Sequence, residues 1–182
     1  REDLVRSQAG RILKSTIARG VTSKTSTYSY DAAGRLVQAT IPRHQLTCSF
    51  APTGGCGVSV SAGLSGNRTS MVDVKDGGTP STTTYCYDQA DRLTFSTVTG
   101  ASVGANPVSD GLTAAEVVYD SHGNTTTLAD QTLTYDASDQ HMSTVLTDGT
   151  TISYLRDGSG RLIQRTQEKT GQPTETQRYS YA

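Results

Sequence analysis

Tryptophan is absent from this chain of 182 residues, and phenylalanine occurs only twice. Only 34% of the residues are hydrophobic, which leaves material for one domain with a modest core. Long windows rich in Ala, Leu, Glu and Lys are missing, so no helix is expected except a short one within residues 1–19. No apolar run approaches the roughly 18 residues of a membrane span. No sign of charge dominates: 16 basic residues face 17 acidic ones, and this balance excludes an electrostatic footprint for nucleic acid. The chain begins Arg1-Glu2-Asp3 with neither an initiator Met nor a signal peptide, and is read as a fragment truncated at both ends.

Catalytic and metal-binding patterns are equally scarce. His44, His122 and His141 are dispersed, and none has metal-ligand spacing. The histidines at 122 and 141 fall in or just after turn motifs, where polar surface residues are expected. The four glutamates, Glu2, Glu116, Glu168 and Glu175, form no acid/base pair. Asp73-Val-Lys-Asp76-Gly-Gly lacks the remaining ligands of a calcium loop and reads as a turn. The expectation is a chain that is not an enzyme, with no cofactor and no metal. Three cysteines leave at least one unpaired. A turn through Pro52, Gly54 and Gly55 would bring Cys48 and Cys56 together as a disulfide; the other reading is three small buried hydrophobes, which we hold for Cys86 in particular.

What the sequence does contain is β-branched residues, glycine, nine tyrosines and a repeat. Tyr-Asp occurs at Tyr30-Asp31, Tyr87-Asp88, Tyr119-Asp120 and Tyr135-Asp136. Around these the pattern reads Tyr-x-Tyr-Asp-x-x-Gly-Arg-Leu. It is carried by Tyr28, Tyr30, Asp31, Gly34 and Arg35; by Tyr85, Tyr87, Asp88 and Arg92; by Tyr119, Asp120 and Gly123; by Tyr135 and Asp136; and by Tyr154, Asp157, Gly160 and Arg161. Weaker copies place the Asp slots near 7, 31, 63, 88, 120, 136, 157 and 182, at irregular intervals. All nine tyrosines stand one or three residues before a slot.

Asp-x-x-Gly is a turn with a physical mechanism. The Asp carboxylate accepts a hydrogen bond from the backbone two residues on, and Gly takes the positive φ needed to enter the returning strand. Asp91 and Asp139, in the Gly slot, tolerate that conformation better than most residues. Each unit is therefore expected to be a hairpin. Within it the two tyrosines share a face, and neighbouring hairpins would align them in cross-strand rows. Val58, Val60 and Ala62 are expected on one face of an outgoing strand, and Asp148-Gly149 at a further hairpin turn. The motif arginines either pair with the Asp across their own turn or stand solvated, the latter being expected.

This pattern resembles the RHS/YD-repeat family, which includes bacterial Rhs polymorphic toxins, wall-associated toxins, toxin-complex cocoon proteins and teneurins. The resemblance covers essentially the whole chain, residues 1–182, as one YD-repeat segment. It implies an all-β fold in which antiparallel hairpins form a curved ribbon, a partial arc of an RHS/YD β-shell. In function it implies a structural segment of a secreted or cell-surface shell that encloses a C-terminal toxin or effector. The partners would be flanking repeats and an enclosed cargo. The alternative is an adhesion module recognising carbohydrate or protein at the cell surface. The autoproteolytic core region of the toxin members is not found in this sequence. Open β-edges at both ends are expected to promote self-association.

Overall fold

The computed structural model describes residues 1–100 and 111–181. Among them the chain is all-β, with sixteen strands and no helix. It divides into two compact units, Arg1–Gly111 and Leu112–Ala182. The slot expected at 182 lies outside the described residues.

The first unit holds β1 (Glu2–Arg6), β2 (Ile12–Arg19), β3 (Thr22–Tyr30), β4 (Leu36–Ile41), β5 (His44–Ser49), β6 (Cys56–Gly57), β7 (Ser70–Lys75), β8 (Ser81–Tyr87) and β9 (Leu93–Gly100). They form one nine-stranded sheet, almost entirely an antiparallel meander. The exception is β6, which pairs parallel with the end of β8. The second unit holds β10 (Val117–Tyr119), β11 (Thr125–Leu128), β12 (Gln131–Tyr135), β13 (His141–Leu146), β14 (Thr151–Arg156), β15 (Leu162–Glu168) and β16 (Glu175–Arg178). Its seven strands follow one another in sequence order, each antiparallel to the next. Neither sheet closes into a barrel.

Two local expectations are overturned. Residues 1–19 form the hairpin β1–β2 and not a helix, because the Ser7 turn pairs the two strands from Glu2↔Ile17 to Arg6↔Ile12. Residues 58–62 form successive turns and not a strand: Val58 and Val60 are exposed while Ser59 and Ala62 are buried, so the alternation has no sheet face behind it.

Burial within the first sheet falls mainly on one face, with Cys86, 1% exposed, the exception on the other. Direct cross-strand pairing puts Tyr28, Ala39, Leu46, Asp73 and Ser81 in one row, and Cys48, Met71 and Thr83 in the next. Tyr85 and its partner Ser96 lie on this same face. The buried residues Ala39, Cys48, Asp73, Ser81, Thr83 and Ser96 all fall here. The face is unusually polar; Asp73, only 6% exposed, is satisfied by His44 Nδ1 at 2.8 Å.

Candidate functional site

Six turns share one construction, and all of them lie along the same edge of their sheet. Counting from the Asp slot as position 0, these are the turns beginning at Ser7, Asp31, Asp88, Asp120, Asp136 and Asp157. In each, the backbone NH at position 0 donates to the carbonyl at +4 over 2.8–3.0 Å, and the NH at +3 donates back to the carbonyl at 0 over 2.9–3.1 Å. In each, the NH at +4 donates to the side-chain oxygen at 0 over 2.9–3.2 Å. The register shift falls every time between positions −2 and −1. Position +3 has positive φ in all six: Gly10, Gly34, Asp91, Gly123, Asp139 and Gly160. Ser7 thus reproduces with a hydroxyl what the others do with a carboxylate. The slot at 63 does not close such a turn.

The +4 side chain returns to the Asp. Nε of Arg35, Arg92 and Arg161 donates to the second carboxylate oxygen of Asp31, Asp88 and Asp157 at 2.7–2.8 Å, and Asn124 Nδ2 does the same to Asp120 at 3.0 Å. The motif arginines are therefore paired, not solvated: the turn already holds the carboxylate facing them, so pairing orders little extra. Hydrogen bonds from the +4 backbone and side chain hold Asp31, Asp88 and Asp157 below the usual carboxylate range. For Asp120 the largest cause is the Asn124 side chain.

A second set of contacts joins neighbouring units at four places. The tyrosine at −1 donates its hydroxyl to the carbonyl at +5 of the preceding unit: Tyr30 to Ile12 at 2.9 Å, Tyr87 to Arg68 at 2.8 Å, Tyr135 to Thr125 at 2.9 Å and Tyr181 to Leu162 at 2.7 Å. Ile12, Arg68, Thr125 and Leu162 are the +5 residues of slots 7, 63, 120 and 157. Slot 63 has lost its turn but keeps its acceptor. Where arginine replaces tyrosine at −1, Arg6 and Arg156 donate instead to the +3 carbonyls of their own turns, Gly10 and Gly160.

The rings of Tyr30, Tyr85, Tyr135, Tyr154 and Tyr181 make contacts other than the expected tyrosine rows. Among the described residues they meet cations and a histidine. The guanidinium of Arg11 lies 5.8 Å from the Tyr30 ring centre, that of Arg68 4.8 Å from Tyr85, and that of Arg161 5.1 Å from Tyr181. His141 is not a surface residue as expected. It is half-buried between Tyr135 and Tyr154, with ring centres 5.5 and 4.9 Å away, because the bulge turns it toward them. His122 remains at the surface and bridges to the next turn through Asp139, whose carboxylate also accepts from Asn124 Nδ2. Asp139 raises the pKa of His122, and His122 lowers that of Asp139.

The disulfide joins Cys56 to Cys86, not Cys48 to Cys56. The β6–β8 pairing places Cys56 directly opposite Cys86. Cys48 lies on the other face of the sheet as a buried thiol, with Arg68 Nη1 3.8 Å from its sulfur. Only the three-dimensional pairing identifies this bond, since a two-residue strand has no periodicity to read. Among the described residues no cluster of three or more His, Cys, Asp or Glu side chains is placed to hold a metal. The site is a ladder of turns built for cohesion between neighbours.

The RHS repeat family model matches residues 7–45, a span that starts at the Ser7 slot and takes in the Asp31 turn. No curated protein matches the sequence. Solved structures of similar fold include two toxin-complex assemblies. The crystal structure of TcdB2-TccC3-Cdc42 is similar with a TM-score of 0.60 and 14% identity over 99% of this chain. The Tc holotoxin pore of Photorhabdus luminescens is similar with a TM-score of 0.63 and 14% identity over 98% of this chain. This chain spans 11% of each of those chains. The chain thus matches the RHS repeat model over residues 7–45 and is similar in fold, over nearly its full length, to these toxin-complex structures.

Proposed function

We propose that the chain is a wall segment of a secreted RHS shell, that the shell encloses a C-terminal toxin or effector, and that the segment itself performs no catalysis. The observation that carries this reading is the ladder: Tyr30, Tyr87, Tyr135 and Tyr181, each at −1, are bonded to the unit before them. Such a contact needs a neighbour at every step, which suits a continuous wall and gives an isolated binding module no advantage. The polar burial concentrated on one face of the first sheet fits a wall with one enclosed and one outer surface. Similarity of fold to toxin-complex proteins supports the toxin setting.

The test is made on the whole native protein. If the reading holds, protease leaves a C-terminal fragment intact under native conditions, and mass spectrometry finds that fragment released only on denaturation. A C-terminal fragment digested at the same rate before and after denaturation overturns enclosure. Specific retention on a glycan array without any protected fragment would favour the adhesion module instead.

A further inference from the structure

We propose that residues 50–69 form a thiol-operated latch, in which the Cys56–Cys86 disulfide holds the first sheet's turn ladder together and its reduction releases the middle of that sheet. The latch stands where the ladder has lost a turn. Between β5 and β7 the chain takes twenty residues, where the six regular turns are compact. This insertion must carry the ladder from the Asp31 turn to the Asp88 turn, and its two ends do so. Arg35 Nη1 donates to the Gly63 carbonyl at 2.9 Å, and the Arg35 guanidinium lies 4.4 Å from the Phe50 ring centre. At the far end the Arg68 carbonyl accepts from Tyr87.

Little besides the disulfide fastens the middle of the insertion to β8. Its large apolar residues face solvent: Val58 is 66% exposed, Val60 57% and Leu64 71%. The apolar side chain it buries is the small Ala62, 1% exposed, so hydrophobic burial holds it weakly. Its other links to the β8 end include the short β6 pairing, a hydrogen bond from Ser59 NH to the Tyr87 carbonyl and one from Gln89 Nε2 to the Val58 carbonyl. The covalent bond, which closes a separation of 30 residues, does the work that a core does elsewhere.

The reductant is a dithiol of the kind that keeps the cytosol reduced. One of its thiolates attacks the sulfur of Cys56, the half-buried partner, since Cys86 is only 1% exposed. The S–S bond breaks, Cys86 leaves as a thiolate and takes up a proton. The second thiol of the reductant then displaces Cys56 as a free thiol, and the reductant departs as its own disulfide. Cys48 cannot rescue the bond by exchange, because it is buried on the opposite face of the sheet. The latch is closed in an oxidising compartment and opens in a reducing one. The second unit contains no cysteine and serves as an internal control.

The experiment is amide exchange on the folded whole protein before and after treatment with dithiothreitol, with peptide mapping to confirm which thiols are freed. Protection over residues 56–69 and 84–88 should fall about tenfold or more on reduction, while residues 131–156 stay unchanged. Tryptic cleavage after Arg68 should accelerate to a similar degree. The Cys56→Ser/Cys86→Ser double variant should match the reduced protein. If that variant does not fold, reduction of the already folded protein still decides. Unchanged protection over 56–69, equal loss in both units, or free thiols at Cys56 and Cys86 before reduction would each overturn the proposal.

Discussion

The two edges of each sheet obey different rules. One edge carries the Tyr-Asp turns, which share the same hydrogen bonds, the same bulge position and the same positive φ. The other edge turns at Gly20-Val21, Pro42-Arg43, Asp76-Gly77, Ala129-Asp130, Asp148-Gly149 and around residues 169–172, with no shared sequence and with connections that run from two residues to six. Adjacent turns on this second edge are tied by pairs that differ each time, such as Arg43 with Asp76 at 2.7 Å and Lys169 with Asp148 at 2.6 Å. The uniform edge fixes register between neighbours, so the variable edge is free to drift. That division explains why the sequence repeat has a strict motif and a loose period.

Moving one residue's worth of chain from one edge to the other is the strongest way to break this comparison. A glycine inserted between Gly158 and Ser159 should uncouple the two backbone bonds of the Asp157 turn, at a cost of about 2 kcal/mol or more. The same glycine between Gly171 and Gln172 should change stability by no more than about 0.5 kcal/mol, since lengthening a surface turn costs little. Denaturant unfolding of both variants measures the difference. Equal losses would mean that the turn edge has no privileged role.

Tyrosines sharpen the comparison, because those at −1 donate to the backbone of the preceding unit, whereas Tyr85, at −3, accepts from the Arg68 side chain at 3.1 Å. Tyr135→Ala should cost about 2 kcal/mol, less than a fully buried aromatic, and Tyr135→Phe about 1 kcal/mol for the lost bond to the Thr125 carbonyl. Tyr154, at −3, contributes its ring against His141, so Tyr154→Phe should stay within about 0.5 kcal/mol of the parent. A Tyr154→Phe loss equal to that of Tyr135→Phe would show that position in the motif does not matter.

Much of this was legible in the sequence. Asp-x-x-Gly announces a turn because its chemistry is local, and even the weak slot at 7 closes one. The hydroxyl ladder was not legible, because its acceptors are backbone carbonyls at +5, which carry no residue signature. Nor was the disulfide, since nearness in sequence favours Cys48 with Cys56 while strand pairing reaches Cys86. His141 was misplaced because a bulge, and not its neighbours in sequence, sets the direction of its ring. The loss of a turn at slot 63 is visible only from the strands around it: β5 pairs directly with β7 across the insertion.

A smaller effect separates two glycines at the same motif position. Gly34 and Gly123 both have positive φ, near 82° and 93°, so alanine at either should cost about 1 kcal/mol. Around Gly123 there is open space, but a Cβ on Gly34 would overlap the guanidinium of Arg11. Gly34→Ala must therefore displace Arg11 from the Tyr30 ring as well, adding about 0.5 kcal/mol. Equal losses would place the Arg11 contact outside the ladder's energetics.

The least effect, and the one that tests the turn chemistry most directly, is pH dependence. Asp31, Asp88, Asp120 and Asp157 have folded pKa values below their ordinary 3.8. Their contribution is fully present above that value and is lost as pH falls through the lower folded one. His122 has the opposite sign: its pKa is raised above 6.5 by Asp139, so its contribution is present below 6.5 and is lost as pH rises through the folded value. Amide exchange in the second unit should thus show a loss of protection above pH 6.5 that His122→Ala removes, and a separate loss below pH 3.8 that it leaves in place. In the first unit the acid limb should appear without the His122 limb, because the bridge from His122 to Asp139 belongs to the second ladder alone. A neutral-pH limb in the second unit that survives His122→Ala would remove His122 as its source and leave the Asn124–Asp139 bond as the tie between those two turns.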